Sequence, residues 1–214
     1  MMMSREKIGQ LFMMGFDGTA VSADLAAFIK EYKPGGVILF SRNLESVEQI
    51  VELTNDLHRC SPHSPLLISI DQEGGRVSRL PKGFTIFPPC DVLGRCNSSE
   101  LAYAAGATIA KELRAVGINM NMSPVLDVNS NPANPVIGDR AFGTTPEPVC
   151  ALGLATAGGC RTIGSWPAGS ISPAMAIRTP TLTRNCRLSP PRANDWSRSS
   201  FLRSGMPPRM AWPR

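Results

Sequence analysis

The sequence predicts an α/β protein of the (β/α)8 TIM-barrel type, represented by its N-terminal part only and followed by a disordered tail. Three observations carry this. Short apolar runs alternate with helix-period stripes through the first 150 residues, and near-continuously apolar strands between amphipathic helices belong to a parallel sheet covered on both faces. Polar residues gather just past those runs, at Asp71-Gln72-Glu73, Asp127-Val128-Asn129 and Asp139-Arg140, where an α/β barrel places its active site. No Gly-x-Gly-x-x-Gly opens a helix after a strand, which argues against a dinucleotide fold.

The elements follow in order. Leu25, Phe28, Ile29 and Tyr32 fall on one helix face that Ser22 can cap, with Gly35-Gly36 as its stop. Val37 to Phe40 is a short buried strand. Ser46-Val47-Glu48-Gln49 has capping-box spacing and opens a helix with the stripe Val47, Ile50, Val51 and Leu57. His58 and His63 are expected together in the Pro-rich loop that follows. Pro65 introduces the run Leu66 to Ile70, which ends in Asp71. Asn97-Ser98-Ser99-Glu100 repeats the box and starts a third helix through Leu101, Ala105, Ile109 and Leu113, stopped by Gly117. Ile118 to Met122 then lead to Ser123-Pro124 and Asp127. About half of an eight-strand barrel fits into such a length, so this stretch does not close one.

Charge divides the chain. Residues 1–150 hold 13 Lys+Arg against 16 Asp+Glu, a net of −3, whereas residues 151–214 hold 9 Arg and one acid, Asp195, a net of +8. The overall +5 belongs to the last third alone, which also carries 8 of the 19 prolines. Such a composition suits an arm for an acidic partner, a disordered segment, or non-native text. No apolar run approaches the roughly 18 residues of a membrane span, and no secretory signal opens the chain, so a cytoplasmic location is expected. The six cysteines form no Cys-x-x-Cys pair; scattered reduced thiols, not a zinc cluster, are expected.

The densest chemistry is Asp71-Gln72-Glu73-Gly74-Gly75-Arg76-Val77-Ser78-Arg79, directly after a buried run. Carboxylates and guanidiniums around a Gly-Gly turn suit a polyhydroxylated ligand, whose hydroxyls need acceptors and planar donors in fixed directions. A structural ion-pair network at a strand–loop junction fits the same spacing.

Residues Ile70 to Leu80 resemble the Asp-x-Glu-Gly-Gly-Arg-Val-x-Arg signature of glycoside hydrolase family three, in its single-domain bacterial β-N-acetylhexosaminidase form. Other segments agree in order: Ile8 to Phe12 with Gly15 to Gly18, Gly35 to Phe40, Asn119 to Val128, and Ile137 to Gly143. The resemblance spans roughly residues 5–158. It implies that Asp71, Arg79 and Arg140 contact an N-acetylglucosamine unit, Asp71 accepting from ring hydroxyls and the arginines holding the sugar from the sides. Glu73 and Arg76 would brace the loop, Asp127 would be structural, and Asp139 would orient Arg140. No metal or organic cofactor is implied. The implied substrates are N-acetylglucosaminyl muropeptide fragments of peptidoglycan recycling, with no nucleic-acid or membrane partner.

Retaining glycosidases need a carboxylate nucleophile and a second group acting as acid and then base. In this family the second group is a histidine following a Lys-His-Phe-Pro-Gly-His-Gly-Asp-Thr motif, with the nucleophilic aspartate further on. The motif is due soon after Gly158 and is absent. Its codons, AAR CAY TTY CCN GGN CAY GGN GAY ACN, read one base late can spell Ser-Ile-Ser-Pro-Ala-Met-Ala-Ile-Arg, which is the string from Ser170 to Arg178. The resemblance therefore divides the chain into a partial barrel, residues 1–159, and a frame-shifted, disordered tail, residues 160–214. No catalytic residue is assigned, and the chain is expected to be inactive. The alternatives are a non-catalytic N-acetylglucosamine-binding protein or a family-three β-glucosidase fragment.

Overall fold

A computed structural model describes residues 5–62, 65–131 and 133–170; His63 and the tail beyond residue 170 lie outside them. The sheet has five parallel strands in consecutive order: β1 (Met13–Met14), β2 (Gly36–Leu39), β3 (Leu67–Ile70), β4 (Met120–Asn121) and β5 (Trp166–Pro167). Sequence order equals spatial order, so each crossover joins adjacent strands. β2 and β3 share the longest register, Gly36 against Leu67 through Leu39 against Ile70.

Helices α1 (Arg5–Gly9), α2 (Ala23–Tyr32), α3 (Val47–Cys60), α4 (Cys90–Cys96), α5 (Ser99–Ala115) and α6 (Pro146–Thr162) fill the crossovers. Ser22 caps α2 by accepting from the Leu25 amide at 3.1 Å. The helix ends at Tyr32 rather than at the glycines, because Lys33 turns left-handed at φ 49° and Pro34 follows. Its stripe is narrower than expected: Leu25 and Ile29 are buried, whereas Phe28 and Tyr32 are exposed and pack on each other with ring centroids 4.6 Å apart.

Ser46 caps α3 through the Gln49 amide at 3.2 Å. The box is not reciprocal in the expected form, since Gln49 accepts from the Glu45 amide instead. Ile50, Leu53, Thr54 and Leu57 form its buried face. His58 sits in the last turn of α3, not in the following loop.

The third helix begins one residue later than the sequence suggests. Ser98, not Asn97, accepts from the Leu101 amide, because Asn97 is spent as the left-handed cap of α4 at φ 47°. Two close glycine contacts bring α5 and α6 together: an added Cβ on Gly106 would lie 2.2 Å from the Thr156 carbonyl oxygen, and one on Gly159 would lie 2.1 Å from that of Tyr103.

The main core is built from Leu25, Ile29, Ile50, Leu53 and Leu57 against Val37, Leu39, Ile68 and Ile70, with Leu113 and Ile118 completing it. A second cluster brings Cys90 of α4 and Val149 and Leu152 of α6 together with Val128 and Phe142. Cys60, Cys90, Cys96 and Cys160 are free thiols, as expected, whereas Cys150 is disulfide-bonded.

Candidate functional site

The site lies where β3 and β4 end. β3 delivers Asp71 at its carboxyl end, and Gln72 turns the chain inward. Gln72 is 1% exposed and tightly held. Its amide donates to Asn121 Oδ1 at 3.0 Å, and Asn121 Nδ2 donates back to its carbonyl at 2.9 Å. Its Oε1 accepts from the Arg79 amide at 2.8 Å while its Nε2 donates to Ser78 Oγ at 2.9 Å. One buried amide thus pins both ends of the Asp71–Arg79 loop.

The turn between those ends needs its glycines. Gly74 and Gly75 take φ of 101° and 54°, and Cβ atoms there would meet Pro88 O at 2.5 Å and Pro89 Cβ at 2.6 Å. No other residue type tolerates both the backbone and the proximity.

Ion pairs tie this loop to the one preceding α6. Arg140, in the 3-10 turn Gly138–Arg140, grips Glu73 with two parallel bonds, Nε to Oε2 and Nη2 to Oε1, each 2.8 Å. The Glu73 side chain is 3% exposed and that of Arg140 is 21% exposed. Glu73 raises the Arg140 pKa above its ordinary value, first through that hydrogen bond and then through its charge, with Asp127 and Asp71 adding to the charge effect and burial opposing. Arg76 forms the second tie, with Nε on Asp139 Oδ1 at 2.9 Å and Nη2 shared among the carbonyls of Pro135, Val136 and Ile137.

Asp139 is therefore the partner of Arg76 and does not orient Arg140; Glu73 does. The bracing expected of Glu73 and Arg76 is present in these bonds. Asp127 is 2% exposed, and its charge acts on Arg140.

Asp71 and Arg79 face each other more loosely. Arg79 Nη2 stands 3.7 Å from Asp71 Oδ2, beyond hydrogen-bond length, and both side chains are partly open at 30% and 26%. Arg79 Nε is buried without a hydrogen-bond partner. The three expected sugar contacts thus belong to one cluster, two loosely paired and one clamped.

A neighbouring set of loops closes the same end of the sheet. Asn43 is fully buried and ties the turn after β2 to the loop after β1, donating to the Phe16 and Gly18 carbonyls at 3.1 and 2.8 Å and accepting from the Phe40 amide at 2.9 Å. Asn119 likewise bonds across to β3, accepting from the Ile68 amide at 2.8 Å and donating to the Leu66 carbonyl at 3.0 Å; the roles of Asn43, Asn119 and Asn121 were not expected from the sequence. The Asn-x-Asn pair was the available signal, because asparagine is depleted in strands and needs local hydrogen bonds to sit in one. Among the described residues no cluster of three or more His, Cys, Asp or Glu side chains offers a metal site. No helix among them is long and apolar enough to cross a membrane.

The fold and cluster have close relatives. The family model described as the glycosyl hydrolase family 3 N-terminal domain matches residues 3–170. A beta-hexosaminidase of Methylococcus capsulatus is 42% identical over 165 residues, covering 75% of this chain and 48% of the relative. One from Alkalilimnicola ehrlichii is 40% identical over 167 residues, covering 75% and 47%. The family 3 beta-N-acetylglucosaminidase structure from a Paenibacillus species superposes with a TM-score of 0.75 at 43% identity, covering 80% of this chain and 33% of that one. NagZ of Neisseria gonorrhoeae, solved with N-trifluoroacetyl-D-glucosamine, gives 0.69 at 34% identity, covering 75% and 49%. The chain spans about half the length of the curated relatives it matches. With the parallel sheet, the Asp71–Arg79 loop and a match over most of its length, the chain belongs to the glycosyl hydrolase family 3 N-terminal domain family.

Proposed function

We propose that this chain carries the sugar-contacting half of a β-N-acetylhexosaminidase site, one that holds a terminal β-linked N-acetylglucosamine of a muropeptide fragment in the cytoplasm. In this reading the strands described here are the first part of a (β/α)8 barrel, with Asp71, Arg79 and Arg140 as ligand contacts. The observation that carries it is the partial openness of Asp71 and Arg79, held 3.7 Å apart on an otherwise clamped loop. A structural pair would close to hydrogen-bond length; this one leaves an acceptor and a planar donor available to hydroxyls. Arg140 contributes differently. Of its five N–H donors, three are committed to Glu73 and the Val136 carbonyl. Two remain to meet a ligand, and the direction of the fork is set by Glu73.

The reaction itself needs groups that the sequence after Gly158 does not supply in the family's form. The chain as written therefore binds without turnover. Fixing a sugar in place contributes to rate only where a nucleophile and an acid/base are held beside it. Titration of the chain with N-acetylglucosamine, followed by isothermal calorimetry or ligand-observed NMR, tests the binding half of the proposal. Saturable binding that is lost in Asp71→Ala supports it. Equal binding by the parent and Asp71→Ala, or none by a parent shown to be folded, overturns it.

A further inference from the structure

We infer that the reading frame changes between Gly164 and Ser165, so that α6 is native text and β5 is not. This stands on the structure around β5 and on the genetic code, independently of the activity proposed above. Three misfits fall on consecutive residues. Ser165 is 2% exposed and its hydroxyl has no hydrogen-bond partner; an unsatisfied buried polar group is unfavourable. Trp166, the largest side chain of the segment, is 47% exposed. Pro167 is the second residue of the strand; the Trp166 and Ala168 amides make the bonds to β4, so its missing N–H falls on the open edge, where a following strand would need a donor. Earlier in the same sheet, β2 and β3 read Gly-Val-Ile-Leu and Leu-Ile-Ser-Ile and are almost wholly buried.

Residues just upstream show the opposite. Gly159 sits against the Tyr103 carbonyl, where an added Cβ would lie 2.1 Å from its oxygen. Cys160 is buried and its thiol donates to the Gly106 carbonyl at 3.3 Å. Gly164 turns the chain at φ 77°, in the left-handed region that favours glycine.

A one-base step removes the misfits together. Tryptophan has the single codon TGG and proline the codons CCN. Starting one base earlier, position 167 reads GCC, which is alanine, and position 166 reads NTG, which is leucine, methionine or valine. If Ser165 is encoded by TCN, position 165 reads NTC, which is phenylalanine, leucine, isoleucine or valine. The segment becomes apolar and free of proline, as a buried parallel strand requires. Stepping the other way gives GGC, glycine, at position 166 and no strand. Applied to Gly164, whose preceding Ile163 codon ends in T, C or A, the first step gives tryptophan or arginine at φ 77°. The frame is therefore intact through Gly164.

The same step acts on the residue that follows Ser170, which bridges Val125 beyond the end of β4. Isoleucine codons begin with AT, so Ile171 becomes tyrosine, histidine, asparagine or aspartate. Every outcome is a hydrogen-bonding side chain, and three of the four titrate. The frame change thus falls five residues ahead of the Ser170 bridge to Val125.

Two readouts test the inference. The coding DNA should show TCN at Ser165; AGT or AGC would place lysine, glutamine, glutamate or a stop there and overturn it. In the 214-residue chain, the triple substitution Ser165→Val, Trp166→Leu and Pro167→Ala should raise the melting midpoint by several degrees and increase amide-exchange protection across β4. An unchanged or lowered midpoint would overturn it as well, and the DNA readout does not depend on whether the variant folds.

Discussion

Arg140→Ala is the most informative perturbation of the site, because it separates clamp from contact. The change removes both 2.8 Å bonds to Glu73 and leaves a carboxylate that is 3% exposed without its guanidinium. Hydrogen bonds to charged groups contribute about 1.5–3 kcal/mol each. Stranding one member of a buried pair costs about 3–5 kcal/mol in total, and the smaller figure applies because Arg140 itself is 21% exposed. An expected loss of about 3 kcal/mol corresponds to a drop of about 6–12 °C in the midpoint for a unit of this size. The double variant Glu73→Gln with Arg140→Ala should recover part of that loss relative to Arg140→Ala alone, because no buried charge is left alone. Thermal and urea melts of the four proteins complete the cycle, and a positive coupling of about 1–3 kcal/mol is expected. A cost below about 1 kcal/mol for Arg140→Ala, with no coupling, would mean that the clamp does not hold the loop and that its geometry has another source.

Three further outcomes follow from the same geometry. Gly74→Ala should destabilise by about 2 kcal/mol or more, since the residue is at φ 101° with Pro88 O 2.5 Å from an added Cβ; a neutral substitution in melts would contradict the turn. His58 has its pKa held below 6.5, chiefly by burial and also by the Arg114 charge, with a hydrogen bond to the Gly117 backbone opposing. The unfolded chain then takes up this proton first, so the contribution is complete above about pH 6.5 and declines as pH falls toward the folded value; His58→Gln should flatten that limb of the stability profile, and identical profiles would refute it. Cys90, whose thiol is pushed up to about 12 by burial and then by the Glu73 charge, should resist a thiol reagent that labels exposed Cys96 quickly; equal rates would contradict the packing around α4.

The order of strands and helices was legible because parallel strands buried on both faces leave continuous apolar runs, and Val37 to Phe40 and Leu66 to Ile70 are such runs. Boundaries were less so. Asn97 and Ser98 are both good caps, and only the existence of α4 decides that Asn97 closes one helix while Ser98 opens the next. Phe28 and Tyr32 match the helical period but remain exposed, since periodicity states which residues share a face and not how wide a face the sheet covers. At the site, the density of charge in Asp71 to Arg79 announced a cluster, yet pairing was not readable. Asp139 stands next to Arg140 in sequence, and the 3-10 turn sends them to Arg76 and Glu73 respectively. Burial of Gln72 and Asn121 was invisible for the same reason: their mutual bonds join residues 49 positions apart.

Turnover tests the central claim most directly, namely that this chain holds the sugar-contacting part of a family 3 site without its chemistry. An aryl N-acetyl-β-glucosaminide is offered side by side to the 214-residue chain and to the protein encoded when one base is restored at the Gly164–Ser165 junction, with the anomer of the released sugar followed by NMR. No hydrolysis above background is expected from the first and retained-configuration hydrolysis from the second, with Asp71→Ala and Arg79→Ala in the second raising KM. Robust, retaining hydrolysis by the 214-residue chain would contradict it, and would place the nucleophile among Asp71, Glu73 and Asp127.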